Sequence, residues 1–195
     1  MEHAESARQA LHALLAERSV RRGTFTLASG RVSSFYVDAR LTTMSPEGLS
    51  LIGPLGLHTI RDAGWNVQSI GGLTLGADPI AYAISYAAAL DQPISGQVAL
   101  RAFTVRKEAK SHGTGKLVEG PFRSGDRVCV IEDTITTGGS ALRAVQAVRD
   151  AGGVVVGVLA LVDREEGGRE AIEAAGVPVR ALAPISALLA LAPSA

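Results

Sequence analysis

The stretch VCVIEDTITTGGSAL, Val128 to Leu142, opens with four apolar residues and then sets two adjacent carboxylates before three threonines and a pair of glycines. With Arg127, the apolar run reads as a strand buried on both faces, because it is continuous where a half-buried strand would alternate. Gly139 reads as the start of a helix, which leaves Thr134 to Gly138 as a tight turn. The free N–H groups of such a turn and of the first helical turn point into one small volume, and glycine lets a ligand come close to the backbone. That is an anion cradle, to which Thr134, Thr136, Thr137 and Ser140 add hydroxyl donors. Glu132 and Asp133 would repel a bare phosphate. They suit a ligand that also carries sugar hydroxyls, or a metal ion one step away, and a ribose 5-phosphate meets both requirements. The plain alternative is a strand-to-helix turn capped by Thr and Ser beside solvated acids. Other phosphate loops fit less well: no Lys follows the second glycine, and no G-x-G-x-x-G opens a helix.

Outward from this stretch the chain alternates. The apolar segments VQSIGGL, QVALRAFTV, RVCVIED, VVVGVLALVD and PVRALAP are separated by helical segments near Asp78 to Leu90, Gly139 to Ala151 and Gly168 to Ala175. Strand followed by helix, repeated, predicts an α/β fold with a central, mainly parallel sheet flanked by helices. Ligands of such sheets bind beyond the strand carboxyl ends, and here those ends carry Glu132 with Asp133, and Asp163 with Arg164. Before about Asn66 the alternation is absent. Amphipathic helices are expected over Ser6 to Arg18 and Pro46 to Ala63, in a small amino-terminal hood of about residues 1–65 completed by the chain's end, over a core of about residues 66–182.

Composition narrows the partners. The 195 residues carry 19 basic and 19 acidic side chains and are 47% apolar, enough for one domain with a substantial core. Balanced charge argues against a nucleic-acid or membrane surface, so any basic site must be local. The amino terminus lacks the order of a signal peptide, and the apolar tail ALAPISALLALAPSA is too short and proline-broken to span a membrane. A cytoplasmic protein is expected. The single cysteine, Cys129, lies among valines and is expected to be a buried structural thiol.

The segment Val128 to Leu142 resembles the phosphoribosyl pyrophosphate (PRPP) signature of type I phosphoribosyltransferases, whose acidic pair holds the ribose hydroxyls and whose loop holds the 5′-phosphate. Two further segments narrow the resemblance. FTLASGRVSSFYVDAR, Phe25 to Arg40, is similar to the amino-terminal motif of orotate phosphoribosyltransferases, and VRKEAKSHGTGKLVEG, Val105 to Gly120, to their mobile catalytic loop. The similarity runs from about Phe25 to Arg164 and implies a type I phosphoribosyltransferase fold and transfer of phosphoribosyl from PRPP to orotate, in pyrimidine biosynthesis. It implies PRPP contacts from Arg106, Lys107, Lys110, His112, Glu132, Asp133, Thr134, Ile135, Thr136, Thr137, Gly138, Gly139 and Ser140. Lys107, Lys110 and His112 are the implied catalytic residues, and Thr136, Arg164, Phe35 and Tyr36 the implied orotate contacts. It further implies a homodimer in which Lys110 and His112 serve the neighbouring subunit and Lys107 its own. Mg2+ is expected to be carried mainly by substrate oxygens and not by a protein cage.

The basic segment also reads physically. Arg106, Lys107, Lys110 and Lys116 put four permanent charges, with titratable His112, within eleven residues interspersed with glycine. A lid of this kind can close on a polyanion and neutralise a pyrophosphate leaving group; alone, the segment would equally suit a solvated charged loop. VDREEGG likewise suits either a carboxylate-reading Arg164, since a guanidinium fork matches a carboxylate, or a surface turn in which Arg164 pairs with Glu165 or Glu166. Ala28 and Leu75 stand where the family often has lysine, and the backbone amides of Leu73 to Gly76 are an alternative pyrophosphate nest. The chain's end near Ala195 suggests no fused decarboxylase domain. The competing readings are a transferase for another nucleobase, and a non-catalytic PRPP-binding regulator.

Overall fold

The computed structural model describes residues 2–26, 30, 32–91, 100–108 and 116–193. Six strands form one sheet, in the order β5-β4-β3-β6-β7-β8. They are β3 (Ser69–Leu73), β4 (Arg101–Val105), β5 (Val118–Glu119), β6 (Arg127–Ile135), β7 (Val154–Asp163) and β8 (Val179–Pro184). Every pairing is parallel except that of the two-residue edge strand β5, which runs antiparallel to β4. The fold is thus the α/β arrangement expected from the alternation.

Helices α4 (Ala77–Leu90), α5 (Gly139–Asp150) and α6 (Gly168–Ala174) are the crossovers. Residues alternate between the faces of a strand, and this sorts the core into two layers. Ile70, Cys129, Ile131, Leu159 and Leu161 face α4 and α3 (Pro46–Asp62). Val128, Val130, Val158 and Ala160 face α5 and α6. Cys129 is fully buried, and burial pushes its thiol pKa up, as an inert structural thiol requires.

The amino-terminal part has its own small sheet. Strands β1 (Val20–Thr26) and β2 (Val32–Val37) pair antiparallel, with a bulge between Arg22 and Phe25. Helix α1 (Glu2–Arg18) starts four residues before the Ser6 expected from periodicity, and the short α2 (Arg40–Thr43) was not expected. Helix α3 begins as its sequence dictates, because Ser45 Oγ accepts the Gly48 N–H at 3.1 Å and Pro46 occupies the first turn. The proline-broken tail contains a helix after all, α7 (Ile185–Leu191). Pro184 supplies its extended entry, and Leu188 packs in the same cluster as Leu11 and Leu15 of α1. Arg8 also donates to the Leu182 carbonyl at 2.9 Å, so the two ends of the chain are joined. Among the described residues no helix is long and apolar enough to cross a membrane.

Strand β3, SIGGL, is buried throughout, and its glycines are a packing requirement. A Cβ on Gly72 would lie 2.0 Å from the Ile131 carbonyl oxygen, and backbone of a central strand cannot swing away as a side chain would. Gly72→Ala should therefore destabilise the protein by about 2 kcal/mol or more in urea unfolding. A loss below about 0.5 kcal/mol, the range of a neutral surface change, would contradict this packing.

Candidate active site

Strand β6 continues through both acids to Ile135, because its parallel pairing with β7 runs on to Ile135↔Asp163. The turn is accordingly Thr136 to Gly138, shorter than the Thr134 to Gly138 expected from sequence. Gly138 adopts the left-handed region, φ 81°, at the N-cap of α5, where no side chain caps the helix. A Cβ there would also come within 2.7 Å of the Gly168 carbonyl oxygen. The amide dipoles of the first turn of α5 are thus left for a ligand and not consumed by Thr or Ser caps. A cavity of about 70 Å³ lies there, lined by Glu132, Thr134 to Ala141 without a break. Thr137, Gly139 and Ser140 are exposed at its mouth. Thr134 differs from the rest, since its N–H already donates to Asp133 Oδ1 at 2.8 Å.

The two acids have different surroundings. Glu132 is buried, 7% exposed, and burial together with the neighbouring Asp133 charge pushes its pKa up to about 8. Asp133 lies against the β3–α4 turn, where a Cβ on Gly76 would come 2.6 Å from its carboxyl group. Arg40, in a bidentate pair with Asp38 at 2.8 and 2.9 Å, stands within the electrostatic reach of Asp133. Among the described residues no three His, Cys, Asp or Glu side chains converge as a metal cage.

Beside the cradle, the turn after β7 carries Arg164. Its N–H donates to the Ile135 carbonyl at 3.0 Å, so the two strand ends are joined directly. The guanidinium is buried and stacks 4.7 Å from the Phe35 ring centroid, while its Nε donates to Glu166 Oε1 at 2.8 Å. Asp163 fixes the turn by accepting from Glu165 N–H at 2.9 Å and Arg169 Nε at 2.8 Å. Phe35 and Tyr36 are adjacent on β2 and point to opposite faces. The structure therefore brings Phe35, and not Tyr36, to Arg164; Tyr36 packs against Phe25 with centroids 5.7 Å apart.

On the other flank, β4 ends at Val105 and leads into Arg106 and Lys107. Arg106 approaches Glu119 at 3.4 Å and Lys107 is exposed. Lys110 and His112, like Ala28, lie outside the described residues. Leu75 is 65% exposed in the turn before α4. The Thr74 N–H donates to Val105 O at 2.9 Å, which takes it out of the amide nest considered for Leu73 to Gly76. Two residues of this region were not singled out from sequence. Arg40 becomes visible only through its partners, and Asp78 through a network in which it accepts from Thr74 Oγ1 at 2.6 Å and Thr104 Oγ1 at 2.7 Å. A cap-position acid after T-L-G was the only sequence sign of Asp78.

A parallel α/β sheet whose central strand ends in paired acids and a phosphate cradle defines a type I phosphoribosyltransferase. The chain is 46% identical over 186 residues to the orotate phosphoribosyltransferase of Aquifex aeolicus (strain VF5), covering 93% of this chain and 97% of that one. It superimposes with a TM-score of 0.79 on Mycobacterium tuberculosis H37Rv orotate phosphoribosyltransferase in complex with Fe(III) dicitrate, at 46% identity and 93% and 98% coverage of this chain and that one. The PRPP complex of the M. tuberculosis enzyme gives 0.73 at 40% identity, covering 94% and 92%. No protein-family model matches the chain. The chain belongs to the orotate phosphoribosyltransferase family.

Glu132 sets an expected pH dependence of the free protein. An acid with a folded-state pKa of about 8 against an ordinary 4.5 keeps its proton in the native state where the unfolded chain has lost it. The native state then binds more protons than the unfolded one, so stability falls as pH rises through this window. Melting temperature of the ligand-free protein should decline from pH 5 to pH 8, and Glu132→Gln should flatten that decline and be the more stable form at pH 8. Parallel wild-type and variant profiles would show that Glu132 is not the group responsible.

Proposed function

We propose that this protein transfers the phosphoribosyl group of PRPP to orotate, forming orotidine 5′-monophosphate and pyrophosphate. One observation carries the reading: the phosphate cradle after β6 and the buried Arg164 after β7 share one sheet edge, joined by the Arg164 N–H to Ile135 O bond of 3.0 Å. A phosphate held at the first place and a carboxylate at the second put the anomeric carbon and a planar carboxylated base side by side. In this reading the cradle, Thr134 to Ser140, binds the 5′-phosphate, and Glu132 and Asp133 take the ribose hydroxyls. Thr136 and Arg164 orient orotate, with Phe35 beneath the guanidinium. The bond from the anomeric carbon to pyrophosphate breaks, the bond to the base nitrogen forms, and the proton of that nitrogen leaves. Arg106, Lys107, Lys110 and His112 offset the charge growing on pyrophosphate.

The donor set fits magnesium carried by substrate. Two adjacent carboxylates, with no third metal-ligating side chain converging among the described residues, suit an ion that keeps most of its shell from phosphate and water oxygens. Glu132 and Asp133 would be its protein contacts, and the ion would supply charge neutralisation at pyrophosphate. Purified protein with orotate, PRPP and magnesium should therefore deplete orotate absorbance and release pyrophosphate. No orotate loss would reject the function, and full rate in excess chelator would reject the metal.

We further place the site in a cytoplasmic homodimer, with Lys110 and His112 reaching the neighbouring subunit. An apolar groove of about 1020 Å³ between α3 and α4 supports assembly; it is lined by Met44, Leu49, Pro54, Tyr82, Tyr86 and Leu90. Tyr86 and Leu90 are 67% and 70% exposed there, which is unusual for large apolar groups of a monomer. Tyr82 Oη lies 3.0 Å from Thr104 Oγ1, so the groove adjoins the strand that leads into the basic segment. An inactive Lys110→Ala subunit mixed with an inactive Asp133→Asn subunit should then regain activity, since each mixed dimer has one site with both residues intact. Confirmed mixed dimers that stay inactive would reject the shared site.

A further inference from the structure

Arg164 has an unusual balance of partners for a buried cation. Its side chain is 7% exposed and that of Glu166 17%, so the pair sits largely out of water. Nε donates to Glu166 Oε1 at 2.8 Å. Nη2 stands 2.7 Å from the same oxygen but off the line of an N–H, so it gains charge attraction without a hydrogen bond and is left buried without such a partner among the described residues. Phe35 lies against the guanidinium at 4.7 Å, which limits its tilt. The turn itself is anchored from its next residue. Glu165 takes a left-handed backbone, φ 55°, and its Oε2 accepts the Ser186 N–H at 2.9 Å, tying the turn to α7.

We propose that Glu166 is a positioning residue for base selection: it occupies one edge of the Arg164 guanidinium and so presents the remaining donors to the carboxylate of the acceptor base. The inference rests on the orotate reading above. A guanidinium offers two donors along each edge in a fixed plane, and a bidentate carboxylate needs one edge free and that plane held. Glu166 takes Nε, which alone of the three nitrogens has a single hydrogen, and leaves the donors that can form a fork. Its charge also compensates the buried cation while no substrate is bound, so Arg164 need not leave for water between turnovers. Without Glu166 the guanidinium retains Phe35 but loses its in-plane stop. A pyrimidine without the carboxylate gains nothing from the arrangement and leaves the donors unpaired, which is the basis of discrimination.

The test separates positioning from general folding. Initial rates of wild type, Glu166→Ala and Glu166→Gln are measured with orotate and PRPP varied in turn. Glu166→Ala should raise KM for orotate about tenfold, with KM for PRPP within about twofold, and should lower the melting temperature because the buried cation loses its counter-charge. Glu166→Gln keeps an acceptor oxygen in place and should recover most of the orotate KM. An unchanged orotate KM in Glu166→Ala, or a parallel rise in both KM values, would overturn the role while leaving the function intact. A wild-type protein that consumes no orotate would instead overturn the function, and the role with it.

Discussion

The parallel pairing of β6 with β7 is the constraint on which the rest of the site depends. Its register runs from Arg127↔Val154 to Ile135↔Asp163, with one irregularity near Val128, so both strands end at the same height. The chain leaves β6 into the cradle and leaves β7 into the Arg164 turn, and the Arg164 N–H to Ile135 O bond continues the ladder one step past the sheet. Parallel strands emerge on the same side, so the cradle and the Arg164 turn fall on one edge without any long loop to bring them together. Gly138 and Gly168 complete the join. Backbone of each lies where a Cβ of the other would have to be, at 2.7 and 2.8 Å, and the two turns therefore behave as one surface.

Much of this was legible because its physical signals are local. Continuous apolar runs identified the central strands, and Glu132 and Asp133 at the end of one of them marked the sheet's carboxyl edge. What escaped notice depends on pairing across distance. Strand β6 extends to Ile135 only because β7 is there to continue the ladder; read alone, E-D-T-I has the polarity of a turn. The β1–β2 hairpin lacks a two-residue turn signal and has a bulge, so alternation within Phe25 to Arg40 is blurred. In α7 the flanking prolines suggested a broken tail, whereas the helix fits between them and is stabilised by packing of Leu188 on the α1 cluster.

The same distinction applies to side chains. The sequence left Arg164 open between a carboxylate reader and a surface ion pair with a neighbouring glutamate. Both elements are present: Arg164 is paired with Glu166, yet it is buried over Phe35 and not on the surface. The pairing partner was adjacent in sequence and so could be named in advance. Phe35 arrives from a separate sheet, and no local pattern distinguishes it from Tyr36 in its aromatic character. Only the strand's alternation, once the hairpin is known, sends one ring to the guanidinium and the other away.

The site must admit a polyanion although its edge is lined by carboxylates, and the structure answers this unevenly among them. Asp163 is committed to Arg169 and the Glu165 N–H, Glu165 to the Ser186 N–H, and Glu166 to Arg164. Asp38 is held below the usual carboxylate range by the Arg40 guanidinium, so its charge is matched beside the site. Glu132 lines the cradle, and Asp133 lies beside it against the β3–α4 turn. Burial raises Glu132 enough that it keeps a proton near neutral pH, which leaves Asp133 as the principal unmatched charge there. One net negative charge is then opposed by the first-turn amides of α5, a far smaller barrier to a phosphate than two carboxylates would present. Burial and the neighbouring Asp133 charge favour the protonated form of Glu132 in the free protein, and a cation or hydroxyl donor beside it would shift that balance toward the carboxylate.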